Sequence, residues 1–449
     1  MSAVERRTTA ALSAVFAMRM LGLFVVLPVF AIYGRELAGA TPLLIGLAIG
    51  AYGLLQGILQ IPFGVVSDRF GRKPIIFVGL LMFAVGGVVA AGSDSIWGVI
   101  VGRAIQGCGA ISGVVMALLS DLTRESHRTR SMAIIGVTVG LSFGVAMVLG
   151  PLIAGMAGLR GLFLFTSVMA VASLVLVIWY VPTPVVVVSE RRRRVLPQMW
   201  RVLRHQGLFR LNLGIFLLHL VMVAVFVVVP PSLVTYEHFP ASAHWKIYLP
   251  VILLSLVVMA PLMMSAERTG RVRGMLVVAA LGLALSLLLL AGLHRSLWGV
   301  VAGLLLYFTA FNLLEALMPS LVSRMSPAGA RGAAMGVYSS GQFLGAFAGG
   351  LVGGGLAGIL EPETVLAVCA ALFVAWAMLV SSLRMQTRCR NLELALPAGI
   401  DAAGARQTAK RLLAVEGVLE ATVVAEDGIA YVTVTGAHYN EPRLHEALR

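Results

Sequence analysis

The sequence predicts an all-α membrane protein of twelve transmembrane helices in two six-helix bundles, followed by a small α+β domain. Hydrophobic residues make up 59% of the 449 positions and charged residues 12%, with a mean hydropathy of +0.94. That is too apolar for an ordinary soluble chain. The apolar residues fall in long runs instead of alternating, which selects helices over a closed barrel as the way to pair every backbone group in lipid. A charged turn, Ser67-Asp68-Arg69-Phe70-Gly71-Arg72, recurs about 200 residues later as Ala266-Glu267-Arg268-Thr269-Gly270-Arg271, which implies two similar halves.

Crossing the hydrocarbon layer takes about 20 apolar residues. Breaking the chain at charged and Gly/Pro-rich points gives spans over 8–34, 42–66, 74–93, 95–119, 131–156 and 159–182 in the first half. The second half has spans over 208–236, 245–265, 273–293, 296–323, 332–358 and 363–384. The first run is too long for a signal-peptide core and lacks a small-residue cleavage site, so it reads as a retained span.

An even number of spans puts both termini on one side. With the N-terminus inside, the short inner segments hold 23 of the 34 Lys and Arg residues, and the outer loops hold Arg35, Arg160, Lys246 and Arg295. Cytoplasmic loops carry the excess of positive charge, so both termini are expected in the cytoplasm and the chain in the cell's inner (plasma) membrane. The expected organisation is an N-terminal bundle over 1–182, a cytoplasmic linker over 183–207, a C-terminal bundle over 208–385 and a small domain over 386–449. The Arg191 to Arg194 run reads as a topology determinant beside anionic lipid, not as a nucleic-acid contact.

Cys108, Cys369 and Cys389 are odd in number and irregularly spaced, which indicates neither a disulfide framework nor a metal cluster. No phosphate-binding loop occurs, and Gly107-Cys108-Gly109 lies within a span, not after a strand, so no nucleotide cofactor is expected. An ion gradient is left as the energy source.

The turn Gly64-Val65-Val66-Ser67-Asp68-Arg69-Phe70-Gly71-Arg72-Lys73-Pro74 must be tight, which Gly64 and Gly71 permit, and must keep its charges in headgroup water. Anchoring at the inner surface accounts for Arg69, Arg72 and Lys73 but not for Asp68. An acid there gains about 0.3–1 kcal/mol beside a helix N-terminus, or about 2 kcal/mol when partly buried.

Four ionisable residues, Arg19, Arg103, His219 and Glu315, lie deep within spans. A charge at the bilayer centre costs about 2.5–3.5 kcal/mol even on the lenient scale, so such groups face a cavity or find a partner. Arg103 shares a helical face with Gln106, Gly107 and Ala110, a stripe suited to a cavity wall. Glu315, with Asn312, Phe311 and Phe308 on its face, is the acid set deepest in a span. It reads either as the proton acceptor or as half of a structural ion pair with Arg103 or Arg19. Arg19 sits too deep to snorkel. His219 reads as a helix-packing residue. Gly136, Gly140 and Gly144, followed by Gly150-Pro151, suit close helix packing.

These motifs carry a family resemblance over roughly the first 385 residues. Gly64-x-x-Ser67-Asp68-Arg69-x-Gly71-Arg72-Lys73 resembles the signature turn of the major facilitator superfamily. Arg103-Ala104-Ile105-Gln106-Gly107 resembles its fourth-helix motif, and Gly150-Pro151-x-x-Ala154-Gly155 its antiporter motif, with Ala154 in place of a usual glycine. Leu21-Gly22 followed by Pro28 resembles the first-helix motif of twelve-span drug:proton antiporters. With its tail, the chain is similar to the YajR-like subgroup of proton-driven transporters. The resemblance implies that Asp68 meets the start of the eleventh helix near Gly332 and Ala333, and that Arg72 pairs with Asp121. These contacts would latch the cytoplasmic side in the outward-facing state.

In the tail, Leu392, Leu394 and Leu396 alternate along a strand, a helix follows over about 401–415, and strands over 418–425 and 429–435 flank Asp427-Gly428, a hairpin signal. Asn440 suits a cap of the last helix, with Pro442 in its first turn. The order βαββα resembles a ferredoxin-like fold lacking its last strand. The loop after its first strand has no Cys, so no metal is expected there.

The expected function is that of a secondary active transporter, not an enzyme: a proton-coupled antiporter exporting a small organic compound. A uniporter or symporter on the same fold, or a membrane sensor reporting through the tail, stands as the alternative. The expected partners are the lipid bilayer, protons and a small-molecule substrate that the sequence does not identify. The expected state is a monomer, with self-association through the tail's sheet edge left open.

Overall fold

The computed structural model describes residues 3–182, 195–327, 330–383, 389–396, 402–424, 428–435 and 441–448. Helix α1 (Ala3–Phe24) is followed after two residues by α2 (Leu27–Tyr33), whose first turn holds Pro28, a position where a missing N–H costs nothing. Helix α3 (Pro42–Phe70) opens on Thr41, whose side chain accepts the Leu44 amide at 3.2 Å. It ends at Gly71, and α4 (Arg72–Ala91) begins at once. Gly71 stands at φ 95°, a backbone conformation that side chains resist, so this corner requires its glycine.

The expected single span over 95–119 is two helices, α5 (Ile96–Cys108) and α6 (Ser112–Asp121), separated by 109–111. By contrast, α7 (Glu125–Tyr180) runs as one element of 56 residues, interrupted at Gly158 with φ 61°. The second half comprises α8 (Val195–Arg204), α9 (Gln206–Glu237), α10 (Trp245–Thr269), α11 (Val272–Leu293), α12 (Leu297–Met325), α13 (Arg331–Ala357) and α14 (Pro362–Ser381).

The sequence repeat has structural counterparts. Gly270, at φ 67° between α10 and α11, takes the place that Gly71 has between α3 and α4. Ser95 caps α5 by accepting the Gly98 amide, and Ser296 caps α12 by accepting the Gly299 amide.

Among the described residues, ten helical stretches are long and apolar enough to cross a membrane. One of them, Ile134–Tyr180, is 47 residues long, and α13 is not among the ten because its glycines lower its hydropathy.

The two halves meet along α3 and α13. A Cβ built on Gly50 would lie 2.9 Å from the Phe347 carbonyl oxygen, and one on Gly354 would lie 2.5 Å from that of Pro42. Gly46 and Gly350 abut backbone to backbone, and Gly53 and Gly57 continue the seam against Phe343 and Leu344. It stops there: around Gly64, further along α3, and Gly336 and Gly332, nearer the start of α13, nothing lies within 4 Å of an added Cβ. The halves are thus pressed together at the Pro42 and Gly354 end and apart at the end with the charged turns.

The tail holds β1 (Cys389–Ala395), α15 (Ala402–Leu413), β2 (Val418–Val424), β3 (Ile429–Thr435) and α16 (Glu441–Leu448). Its sheet is antiparallel in the order β1-β3-β2, with Leu392 opposite Val432. Asp427 and Asn440 lie outside the described residues, as does the linker over 183–194.

Candidate functional site

Three constellations hold the charges that the sequence singles out. The first is the α3–α4 corner. The Arg72 guanidinium meets Asp68 at 2.5 Å and Asp121 at 3.2 Å, and donates to the Ser67 hydroxyl at 2.7 Å. Ser67 in turn donates to the Gly64 carbonyl, so the corner is tied to the last turn of α3 as well as to the end of α6. Lys73 donates to the carbonyls of Ile178 and Val181 at the end of α7. Arg69 lies over the Phe70 ring. At the same end Glu5 accepts the Arg124 amide at 3.1 Å, where α7 begins and an acid is favoured.

The second is a buried polar knot in the first half. Arg19 on α1 donates to Ser112 at 2.5 Å, to Gln56 at 2.6 Å and to the Gly109 carbonyl at 2.7 Å. The α5–α6 break leaves that carbonyl outside a helical ladder, and Arg19 satisfies it. Gln56 passes the network to Gln60.

Arg103, only 1% exposed, donates to Gln106 at 3.1 Å and to the carbonyls of Ala48 and Ile49, and lies over Tyr52. Gln106 reaches Thr166 on α7 at 3.0 Å. The expectation that Arg103 and Gln106 line an open cavity is therefore corrected. Both are sealed between α3, α5 and α7, because a guanidinium with several backbone and amide acceptors is stable only where they converge.

The third lies in the second half, on α12. Glu315 is partly exposed, its side chain 29% accessible, and its buried Oε1 stands 3.3 Å from His219 Nε2 on α9. His219 Nδ1 lies 3.2 Å from the Ile215 carbonyl, and its Nε2 lies 2.9 Å from the Gln342 amide on α13. Asn312 donates to Ser255 on α10. Glu315 thus stands beside His219, not beside Arg103 or Arg19, and His219 also contacts Gln342 of α13, so it is more than a packing residue. Among the described residues neither Arg19 nor Arg103 forms an ion pair; their hydrogen-bond partners are neutral acceptors.

Gly150 and Gly155 lie where α7 is approached closely, by the Val25 carbonyl and by Ser242. Pro151 follows within the same helix. Gly136 and Gly140, expected at a close contact, have nothing within 4 Å of an added Cβ, because α7 is free on this face at the open end. Sequence reasoning also missed Tyr52, Gln56, Gln60 and Gln342. Two glutamines four residues apart in an apolar run were the signal for the first knot.

A family model described as the Major Facilitator Superfamily matches residues 12–266 and 240–393. The chain belongs to the major facilitator superfamily. It is 43% identical over 446 residues to the inner membrane transport protein YajR of Escherichia coli K12, covering 99% of this chain and 98% of that one. It is 28% identical over 342 residues to the multidrug resistance protein MdtH of Yersinia enterocolitica, covering 75% and 83%. Among solved structures, a D-xylose–proton symporter superposes with a TM-score of 0.67 at 16% identity, covering 84% of this chain and 97% of that one. The protein is a multi-pass membrane transporter of this superfamily, all-helical in its membrane part, and not an enzyme.

Proposed function

We propose that the chain is a proton-coupled antiporter of the inner membrane that exports a small organic compound by alternating access. Counting α7 as two spans divided at Gly158, and adding α13, brings the ten apolar helices to twelve, in bundles over 1–182 and 208–385. The excess of Lys and Arg near the charged turns puts that end in the cytoplasm, so the described state is inward-open. The tail is then a cytoplasmic domain of ferredoxin-like type.

One observation supports proton coupling above the others: Glu315 sits within a span, partly exposed, with an imidazole 3.3 Å away. An acid so placed takes up and releases protons where the cleft reaches it. That the Yersinia relative is a multidrug resistance protein supports export. Arg19, Arg103 and Gln106 hold the first bundle rigid and positive beside the path. Gly64, Asp68, Arg69, Gly71, Arg72 and Asp121 form the latch: when the cytoplasmic ends close, Asp68 reaches the start of α13, which is open here.

The test is proton release from the chain in proteoliposomes over a panel of organic compounds. Exchange predicts compound-dependent proton movement that Glu315→Gln abolishes. Compound flux without proton movement would make the chain a uniporter, and flux with protons in the same direction a symporter.

A further inference from the structure

Helix α13 is one of the elements through which the two halves touch. It lies on α3 through Gly350 and Gly354, and on α9 through Gly345 and Gly349, whose added Cβ atoms would strike the carbonyls of Phe216 and Leu220. Between Phe216 and Leu220 on α9 is His219, and one turn before Gly345 on α13 is Gln342, so their 2.9 Å contact extends this backbone seam into a side-chain contact.

The chemistry of that contact is a competition. In a neutral imidazole one ring nitrogen donates and the other accepts. His219 Nδ1 is directed at the Ile215 carbonyl, which fixes it as the donor and leaves Nε2 a single lone pair. Two groups stand near that nitrogen: the Gln342 amide, hydrogen-bonded to it at 2.9 Å, and Glu315 Oε1 at 3.3 Å, buried and without a hydrogen-bond partner among the described residues in this state. An ionised carboxylate has no proton to give, so Nε2 accepts from Gln342. A protonated Glu315 has an O–H to donate, and it displaces the amide.

We propose that His219 and Gln342 are the positioning residues that convert the protonation of Glu315 into release of α13. The inference rests on the proton-coupled reading of Glu315 and adds to it the route by which one proton moves a helix. Proton arrival on Glu315 moves the imidazole hydrogen bond from α13 to α12, and proton departure restores it. The other titratable groups coupled electrostatically to this carboxyl are the Tyr307 hydroxyl on α12 itself and the Tyr338 hydroxyl on α13. Both hydroxyls are buried with no hydrogen-bond partner among the described residues, so neither competes for the imidazole lone pair in this state.

The experiment uses the full chain in lipid nanodiscs, with Cys108, Cys369 and Cys389 replaced by serine and spin labels at Leu43→Cys and Ile359→Cys, two exposed positions at the closed end. Distance distributions are recorded from pH 5 to pH 9, and the infrared band of the protonated Glu315 carboxyl, identified by its loss in Glu315→Gln, is followed in the same samples. The parent chain is expected to shift between two distance populations as that band titrates. Glu315→Gln, which offers a permanent amide donor, is expected to hold the acid population at every pH. Gln342→Met is expected to hold the same population while the carboxyl band still titrates. Gln342→Asn, too short to reach, is expected to behave likewise and guards against a folding defect specific to methionine. A pH response in both Gln342 variants equal to that of the parent overturns the inference and leaves the proton-coupled reading standing. A pH response that survives in Glu315→Gln overturns both.

Discussion

Gly50→Ala adds one methyl group within the seam between α3 and α13. Its Cβ would lie 2.9 Å from the Phe347 carbonyl oxygen and 3.0 Å from the Phe347 Cα, about half an ångström inside ordinary contact for both. Neither neighbour is a side chain that swings away, so the two helices must separate. Overpacking of this kind costs about 1–3 kcal/mol. The cost falls on the state closed at this end and is absent once α3 and α13 part. At 1.4 kcal/mol per tenfold, the ratio of open to closed molecules at this end should rise roughly 5- to 150-fold. The assay is the distance between spin labels at Leu43→Cys and Ile359→Cys, measured with and without the substitution. Gly136→Ala is the matched control, since its methyl meets nothing within 4 Å and should leave the distribution unchanged. Equal distributions for Gly50→Ala and the parent chain would refute the claim that this seam is the closed gate.

The remaining predictions concern the charges. Asp68→Asn removes one of the two carboxylates on Arg72 and the acid proposed to meet α13, so it should lower the share of molecules closed at the charged-turn end; an unchanged population, read by labels at the opposite end, counts against the latch. Arg19→Lys replaces a planar fork that spans Ser112, Gln56 and the Gly109 carbonyl with a point charge that cannot reach all three. With a hydrogen bond to a charged group worth about 1.5–3 kcal/mol, the loss of one should lower the thermal midpoint of the detergent-solubilised protein measurably, and an unaltered midpoint would show that the knot is not holding the first bundle. Compound-driven proton release should vanish in Glu315→Gln, as set out above.

Much of this protein follows from its residues. The long apolar runs required helices because lipid offers backbone groups no other partner, and the placement of Lys and Arg supplied the orientation proposed for them. Gly71 and Gly270 announced tight corners in both halves, since only glycine takes those backbone angles without strain, and Arg72 and Asp121 were paired from the resemblance that those motifs carry. Tertiary structure decided the rest. Whether a glycine stripe touches anything depends on what lies opposite: Gly50 is pressed against α13, whereas Gly136, on an equally small-residue face, is open. The partner of a buried charge is likewise fixed by convergence in space. Arg103 turned to the carbonyls of Ala48 and Ile49, Arg19 to a carbonyl freed by a helix break, and Glu315 to an imidazole 96 positions away in the chain. Local pattern shows that a charge in lipid needs a partner, because the energy of solvation demands one; it is the packing of distant helices that supplies it.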